Sequence, residues 1–310
     1  MQLGLCYSRI RRDEKLLLNE LRDRGHEITK IDVRKQQFNV HEAPAIFDGL
    51  DVVLDRCLAT SRSHYVTQFC AAYDVPVINS AETAAICADK VKNSLVLASA
   101  GVPTPDTDVS FTTTAALESI ERFGYPCVLK PVIGSWGRLM AKIDSRDAAE
   151  AILEHKATLG HYEHKVFYVQ EFVDKPGRDI RVVTTDGEPI AAMARTSEHW
   201  LTNASKGATT EPIELEAEAK RLARAASEAV GGGLLGVDLM ETGDSEAQRA
   251  SENPSGDDEE PRGRYTVHEI NHTVEFKALN DASDVDVPAR VVDWLESKVE
   301  TLANEAEVSA

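Results

Sequence analysis

Two apolar segments carry the side chains best suited to chemistry. Asp238 sits within Gly236-Val237-Asp238-Leu239, and Glu269 and Asn271 sit two apart within Val267-His268-Glu269-Ile270-Asn271. Residues two apart in a strand share a face. An adjacent strand bearing Asp238 completes three hard oxygen donors, a set that suits Mg²⁺ bridging nucleotide phosphates. Carboxylates within apolar strands are costly unless paired or metal-bound. Structural pairing is the alternative, and a metal is the favoured reading.

Phosphoryl transfer to a carboxylate also needs cations on the phosphates, a glycine-rich cover and a slot for the base. Lys130 ends the apolar run Val128-Leu129-Lys130-Pro131 and would set one ammonium at a sheet rim. Alone, it reads equally as a surface lysine. Gly134-Ser135-Trp136-Gly137-Arg138 follows, a turn whose backbone N–H groups can close on phosphate. A plain hairpin turn explains two glycines as well, and only the spacing to Lys130 makes the pair suggestive. The turn is neither GxxxxGK[ST] nor GxGxxG, which disfavours a P-loop or a dinucleotide fold.

Gln170-Glu171-Phe172-Val173 ends another apolar run. Its backbone can read an adenine edge while Phe172 and Val173 pack on the ring, although a core strand end explains it equally. Asp179, Arg181 and Arg195 surround strand starts, where the arginines can face phosphate or carboxylate. Surface ion pairing is the alternative for any one of them.

The elements that must hold these residues alternate between strand and helix at the start. Leu3–Tyr7 reads as a strand, 13–23 as a helix with leucines at helical spacing, and Gly25 as its stop. Strands at 26–33, 51–54 and 75–79 complete a parallel α/β unit running to about residue 85. A helix over 89–101 leads to a smaller unit with strands at 127–131, from 139, and at 167–172, and a helix at 145–159. A hairpin pairs 180–185 with 189–195 around Asp186-Gly187. A helix over 215–230 and strands at 234–240 and 265–271 follow. The acidic insert 241–264 has almost no apolar residues and reads as a solvated loop.

Composition narrows the classes further. With 310 residues and 42% hydrophobic content, about two domains are expected. A net charge of −18 argues against nucleic-acid binding by a basic face. It suits a halophilic host, with an ordinary acidic protein as the alternative. No signal-like segment and no membrane-length apolar run is evident, so a cytoplasmic protein is expected. The five cysteines lack a CxxC pair and read as buried free thiols.

At this point the residues resemble the ATP-grasp superfamily, specifically its RimK-like branch and the LysX and ArgX ligases of lysine and arginine biosynthesis. The matching stretches are Cys87–Lys90, Val128–Arg138, Tyr168–Arg181, Glu198–Asn203 and His268–Lys277, and the likeness covers nearly the whole chain apart from the insert. The resemblance implies an N-terminal pre-ATP-grasp α/β domain at 1–85 and an ATP-grasp region at 86–310. The latter would hold a small central subdomain at about 105–172 and a C-terminal α+β subdomain at 173–305.

It also implies a reaction. Such enzymes phosphorylate the C-terminal glutamate carboxylate of a small acidic carrier, LysW. The α-amino group of glutamate or 2-aminoadipate then attacks the acyl phosphate. ATP and two Mg²⁺ ions are implied, as is a homodimer or homotetramer. Lys90, Lys130, Gly134–Arg138, Gln170–Val173, Asp179, Arg181 and Arg195 would hold ATP. Asp238, Glu269 and Asn271 would hold Mg²⁺. Arg181, Arg195 and Lys206 would be the catalytic cations. Arg195, Asn203, Ala204 and His272, Thr273, Val274, Glu275 and Phe276 would line the amino-acid pocket. Aminoadipate-accepting members carry Thr or Ser where this chain has Ala204, which points towards glutamate, whereas the 272–276 segment is LysX-like. A RimK-type glutamate ligase acting on a ribosomal protein or a coenzyme tail is the second reading.

Overall fold

The computed structural model describes residues 1–134, 139–159, 165–200, 202, 208–242 and 263–309. A parallel sheet in the order β2-β1-β3-β4 opens the chain, with β1 Gln2–Tyr7, β2 Glu27–Asp32, β3 Val52–Asp55 and β4 Val77–Ile78. All four residues of β3 are buried, as expected of a strand covered on both faces. Helix α1 (Arg12–Asp23) buries Leu17, Leu18 and Leu21. It stops where Gly25 adopts φ 79°, so that the His26 amide can reach the Leu21 carbonyl at 3.0 Å.

Helix α2 (Thr60–Ala72) follows β3, and α3 (Ala81–Ala88) and α4 (Lys90–Ser99) follow β4. The Asp89 carboxylate caps α4 by accepting from the Val91 and Lys92 amides, which fixes Lys90 at the first turn. Next comes an antiparallel sheet in the order β5-β8-β6-β7, with β5 Thr107–Ser110, β6 Cys127–Lys130, β7 Ala141–Ile143 and β8 Phe167–Glu171. Helices α5 (Thr113–Phe123) and α6 (Arg146–Leu159) cover it through Ala116, Ile120, Ala149 and Leu153.

The third sheet is antiparallel throughout, in the order β11-β10-β9-β12-β13. Its strands are β9 Arg178–Thr185, β10 Glu188–Thr196, β11 Thr209–Pro212, β12 Leu234–Glu241 and β13 Tyr265–Asn271. Helix α7 (Ala217–Ala229) packs on it through Leu222, Ala223 and Ala226. Helices α8 (Lys277–Ala282) and α9 (Val287–Ser309) return to the first sheet. One core joins Leu3, Leu5, Leu17 and Leu21 to Val274, Phe276, Val291 and Leu295, so the first unit and the chain's end share apolar packing.

The expected elements are present with ends shifted by a few residues. The chain further forms α2, α3, α5, α8, α9, β5 and β11. All five cysteines are buried free thiols. Among the described residues, no helix is long and apolar enough to cross a membrane.

Candidate active site

A cavity of about 890 Å³ takes residues from the second and third sheets, from the start of α4 and from the β1–α1 loop. Ten basic side chains line it against five acidic ones, in a chain whose net charge is −18. Such an island of positive potential concentrates anions, so the cavity suits polyanionic substrates.

Lys90 and Lys130 approach from two elements. The Lys90 ammonium donates to the Gly134 carbonyl at 2.8 Å and to Glu269 Oε1 at 3.0 Å. Lys130 is buried at the end of β6, bonded to Gln170 Oε1 and 2.6 Å from His268 Nε2. While Lys130 is charged it only donates, and this His268 nitrogen then accepts. Burial keeps the imidazole neutral by pushing its pKa well below the usual value. Burial also pushes Lys130 down to about 7, with Glu269 opposing the shift and Lys90 and Lys175 adding to it. Bringing phosphate beside Lys130 would restore its charge.

Arg181, Asp238 and Glu269 stand in register straight across β9, β12 and β13. Arg181 grips Asp238 through two 2.6 Å bonds, Arg195 reaches it at 3.1 Å, and the Asn271 amide lies 3.3 Å away. Burial opposes the Asp238 charge, but the two guanidiniums outweigh it and hold the carboxyl well below the usual range. Arg195 also bonds Asp179 at 2.6 Å; Asp179 further accepts from Thr202, whose hydroxyl accepts from Lys175 at 2.7 Å.

The register of β12 and β13 slips at Asp238, because Asp238 pairs with Glu269 whereas Leu239 pairs with Val267. His268 is the extra residue of this β-bulge, so His268 and Glu269, consecutive in sequence, both face the cavity. Strict alternation would have turned His268 away. An apolar region of the same cavity is lined by Val128, Met140, Phe172, Val173, Leu239 and Met240, a surface suited to a flat base.

Of the residues singled out from the sequence, Lys90, Lys130, Gly134, Glu171, Phe172, Val173, Asp179, Arg181, Arg195, Asp238, Glu269, Asn271, Thr273 and Glu275 line the cavity. Others are placed differently. Gln170 is buried behind Lys130, and its amide donates to Thr107 and Tyr168. His272, Val274 and Phe276 are buried too, because alternate residues of this segment turn into the core. Asp179, although it lines the cavity, has its oxygens bonded to Arg195 and Thr202. Ser135, Trp136, Gly137, Arg138, Asn203, Ala204 and Lys206, and the insert over 243–262, lie outside the described residues. Sequence reasoning missed Lys175, Thr202, His268 and the basic run Arg9, Arg11, Arg12 and Lys15. Lys175, Thr202 and His268 lay within stretches already singled out, whereas Arg9, Arg11, Arg12 and Lys15 lay in none.

The donor set fits Mg²⁺. Two carboxylates and an amide on neighbouring strands face a basic cavity, and Asp238 is held ionised. Among the described residues no three His, Cys, Asp or Glu side chains form a metal cage.

Residues 3–86 match the LysX preATP-grasp domain and residues 87–248 match the RimK-like ATP-grasp domain. The chain belongs to the RimK-like ATP-grasp family and is a ligase that forms carbon–nitrogen bonds. It is 32% identical to the alpha-aminoadipate–LysW ligase LysX of Saccharolobus solfataricus, over 86% of this chain and 90% of that one. It is 29% identical to the glutamate–LysW ligase ArgX of Sulfolobus acidocaldarius, over 96% and 99%. The crystal structure of a RimK domain ATP-grasp protein from Sphaerobacter thermophilus superposes with a TM-score of 0.76 at 28% identity, covering 95% of this chain and 99% of that one.

Proposed function

We propose that this ligase joins the α-amino group of glutamate or 2-aminoadipate to the C-terminal carboxylate of a small acidic LysW-type carrier. The observation that carries the reading is the pairing of the Lys90, Lys130, Arg181 and Arg195 cations with Asp238, Glu269 and Asn271 around one cavity, in a chain similar over nearly its whole length to LysW ligases. Lys90 and Lys130 would hold the phosphates of ATP, and the apolar slot would hold its base. Asp238, Glu269 and Asn271 would hold Mg²⁺, as one or two ions, which supplies charge neutralisation of the phosphates when bound.

Transfer of the γ-phosphoryl group to the carrier carboxylate gives an acyl phosphate. The amine attacks its carbonyl carbon, the amide forms and phosphate leaves. Arg181 and Arg195, anchored by Asp238 and Asp179, face the charge that develops on the transferring group. The acidic composition supports a cytoplasmic, salt-rich setting, and a homodimer or homotetramer is the proposed assembly.

ADP release from the purified protein tests the reading: it should require both the carrier and an amino acid. Release with glutamate alone, or glutamylation of a ribosomal protein or coenzyme tail in place of the carrier, would contradict it.

A further inference from the structure

One wall of the cavity comes from the β1–α1 loop, and it contains a guanidinium built from the core outward. Arg56 is buried and donates to Glu14 Oε1 at 3.2 Å. Glu14 is buried and accepts from Arg11 Nε at 3.0 Å and Arg11 Nη2 at 2.6 Å. The remaining end of the Arg11 fork turns to the cavity, where Nη1 donates to Glu275 Oε1 at 2.6 Å. Exposure rises along this chain, from 11% for the Arg11 side chain to 31% for Glu275 and 42% for Lys277, which lies 3.7 Å from Glu275 as an alternative partner. One edge of Arg11 is thus fixed by a buried partner, while the other meets a partly exposed carboxylate that has Lys277 as a second partner.

We propose that Arg11 is a specificity-determining residue that takes the distal carboxylate of the amino-acid acceptor, with Glu275 occupying its place in the free protein. This rests on the ligase reading above. The α-carboxylate lies one carbon from the attacking amine, so it would stay at the Arg181 end of the cavity. The distal carboxylate lies two or three methylenes further on and needs a cation from another wall. Asn271, Thr273, Glu275 and Lys277 face the cavity in turn, leading from the Asp238 end to Arg11. An anchored arginine fork suits a planar carboxylate, and a neutral side chain in its place leaves that fork unmatched.

The experiment compares kcat/KM for glutamate and for its neutral isostere glutamine in wild type, Arg11→Gln and Glu275→Gln, with KM for ATP and for carrier measured alongside. Arg11→Gln is expected to lower kcat/KM for glutamate about 30-fold or more while changing that for glutamine little, so the preference collapses. Glu275→Gln, which leaves the Arg11–Glu14 pair intact, is expected to lower KM for glutamate by removing the internal competitor. A folded Arg11→Gln with wild-type preference, or with its loss confined to carrier KM, would overturn the proposal. If Arg11→Gln does not fold, Glu275→Gln decides, and an unchanged or raised glutamate KM overturns it. If wild type ligates neither acid, the ligase reading fails separately; calorimetry with glutarate then tests Arg11, and affinity equal in wild type and the variants counts against it.

Discussion

Asp238 and Glu269 face one another across adjacent antiparallel strands, and each already holds a cation. Asp238 is enclosed by Arg181 and Arg195, whereas Glu269, a quarter exposed, is ion-paired with Lys90 alone among the described residues. Two carboxylates in one candidate metal set therefore have different structural burdens. Asp238→Asn would leave two guanidiniums short of a buried counter-charge, at a cost of about 3–5 kcal/mol, and should lower both Tm and activity. Glu269→Gln should keep Tm near wild type while reducing ligation at least about 100-fold. Calorimetry and ADP release check both. Normal activity of Glu269→Gln at low Mg²⁺ would remove Glu269 from the metal set.

Lys130 provides a pH signature. Its pKa, pushed down to about 7 by burial, means that the empty site loses this charge as pH rises through neutrality. Triphosphate favours the ammonium, so ATP binding at pH 8 should take up protons and weaken as pH climbs further. The linkage sign agrees: between about 7 and the ordinary lysine value the unfolded chain binds more protons, so Lys130 makes stability rise with pH there. Titrating ATP in buffers of different ionisation enthalpy measures the uptake. A buffer-independent heat in wild type, or uptake persisting in Lys130→Met, would contradict it.

How much of this was readable beforehand follows from periodicity. The strands of Asp238 and of Glu269 and Asn271 announce themselves, because apolar runs interrupted by carboxylates are unusual. His268 does not, because a bulge at Asp238 breaks the alternation on which such reading depends. Gln170, His272, Val274 and Phe276 were expected at the substrate and instead pack behind it, since a motif does not say which residues of a loop turn inward. Arg11 is joined to Glu275 only by the fold, across 264 positions of sequence. Helix α2 was missed because Thr60-Ser61-Arg62-Ser63-His64-Tyr65 offers neither helical leucine spacing nor a strong former.

The insert can be tested by removal. The strands on either side of it close on one another, with the Thr242 amide donating to the Arg264 carbonyl at 2.9 Å. A short turn can therefore bridge them. Replacing Asp244–Pro261 with such a turn should leave Tm and ligation at high salt largely unchanged. Loss of activity in a folded variant would assign the insert a functional role.

Substrate choice can be tested at Ala204, which cannot donate a hydrogen bond. Glutamate and 2-aminoadipate differ by one methylene, a difference worth only about 1–3 kcal/mol without polar help. Glutamate should be used at least as well as 2-aminoadipate, and Ala204→Thr should shift kcat/KM towards the longer acid. Strong wild-type preference for 2-aminoadipate would overturn the expectation, and an unshifted variant would remove its cause.

The most direct test of the central claim is the intact mass of a LysW-type carrier after incubation with the purified protein, ATP, Mg²⁺ and either amino acid. The account predicts a carrier heavier by one glutamyl or aminoadipyl residue, attached at its C-terminal glutamate, with one ADP formed per carrier. A carrier of unchanged mass with both amino acids, under conditions where the protein is folded and binds ATP, would contradict it.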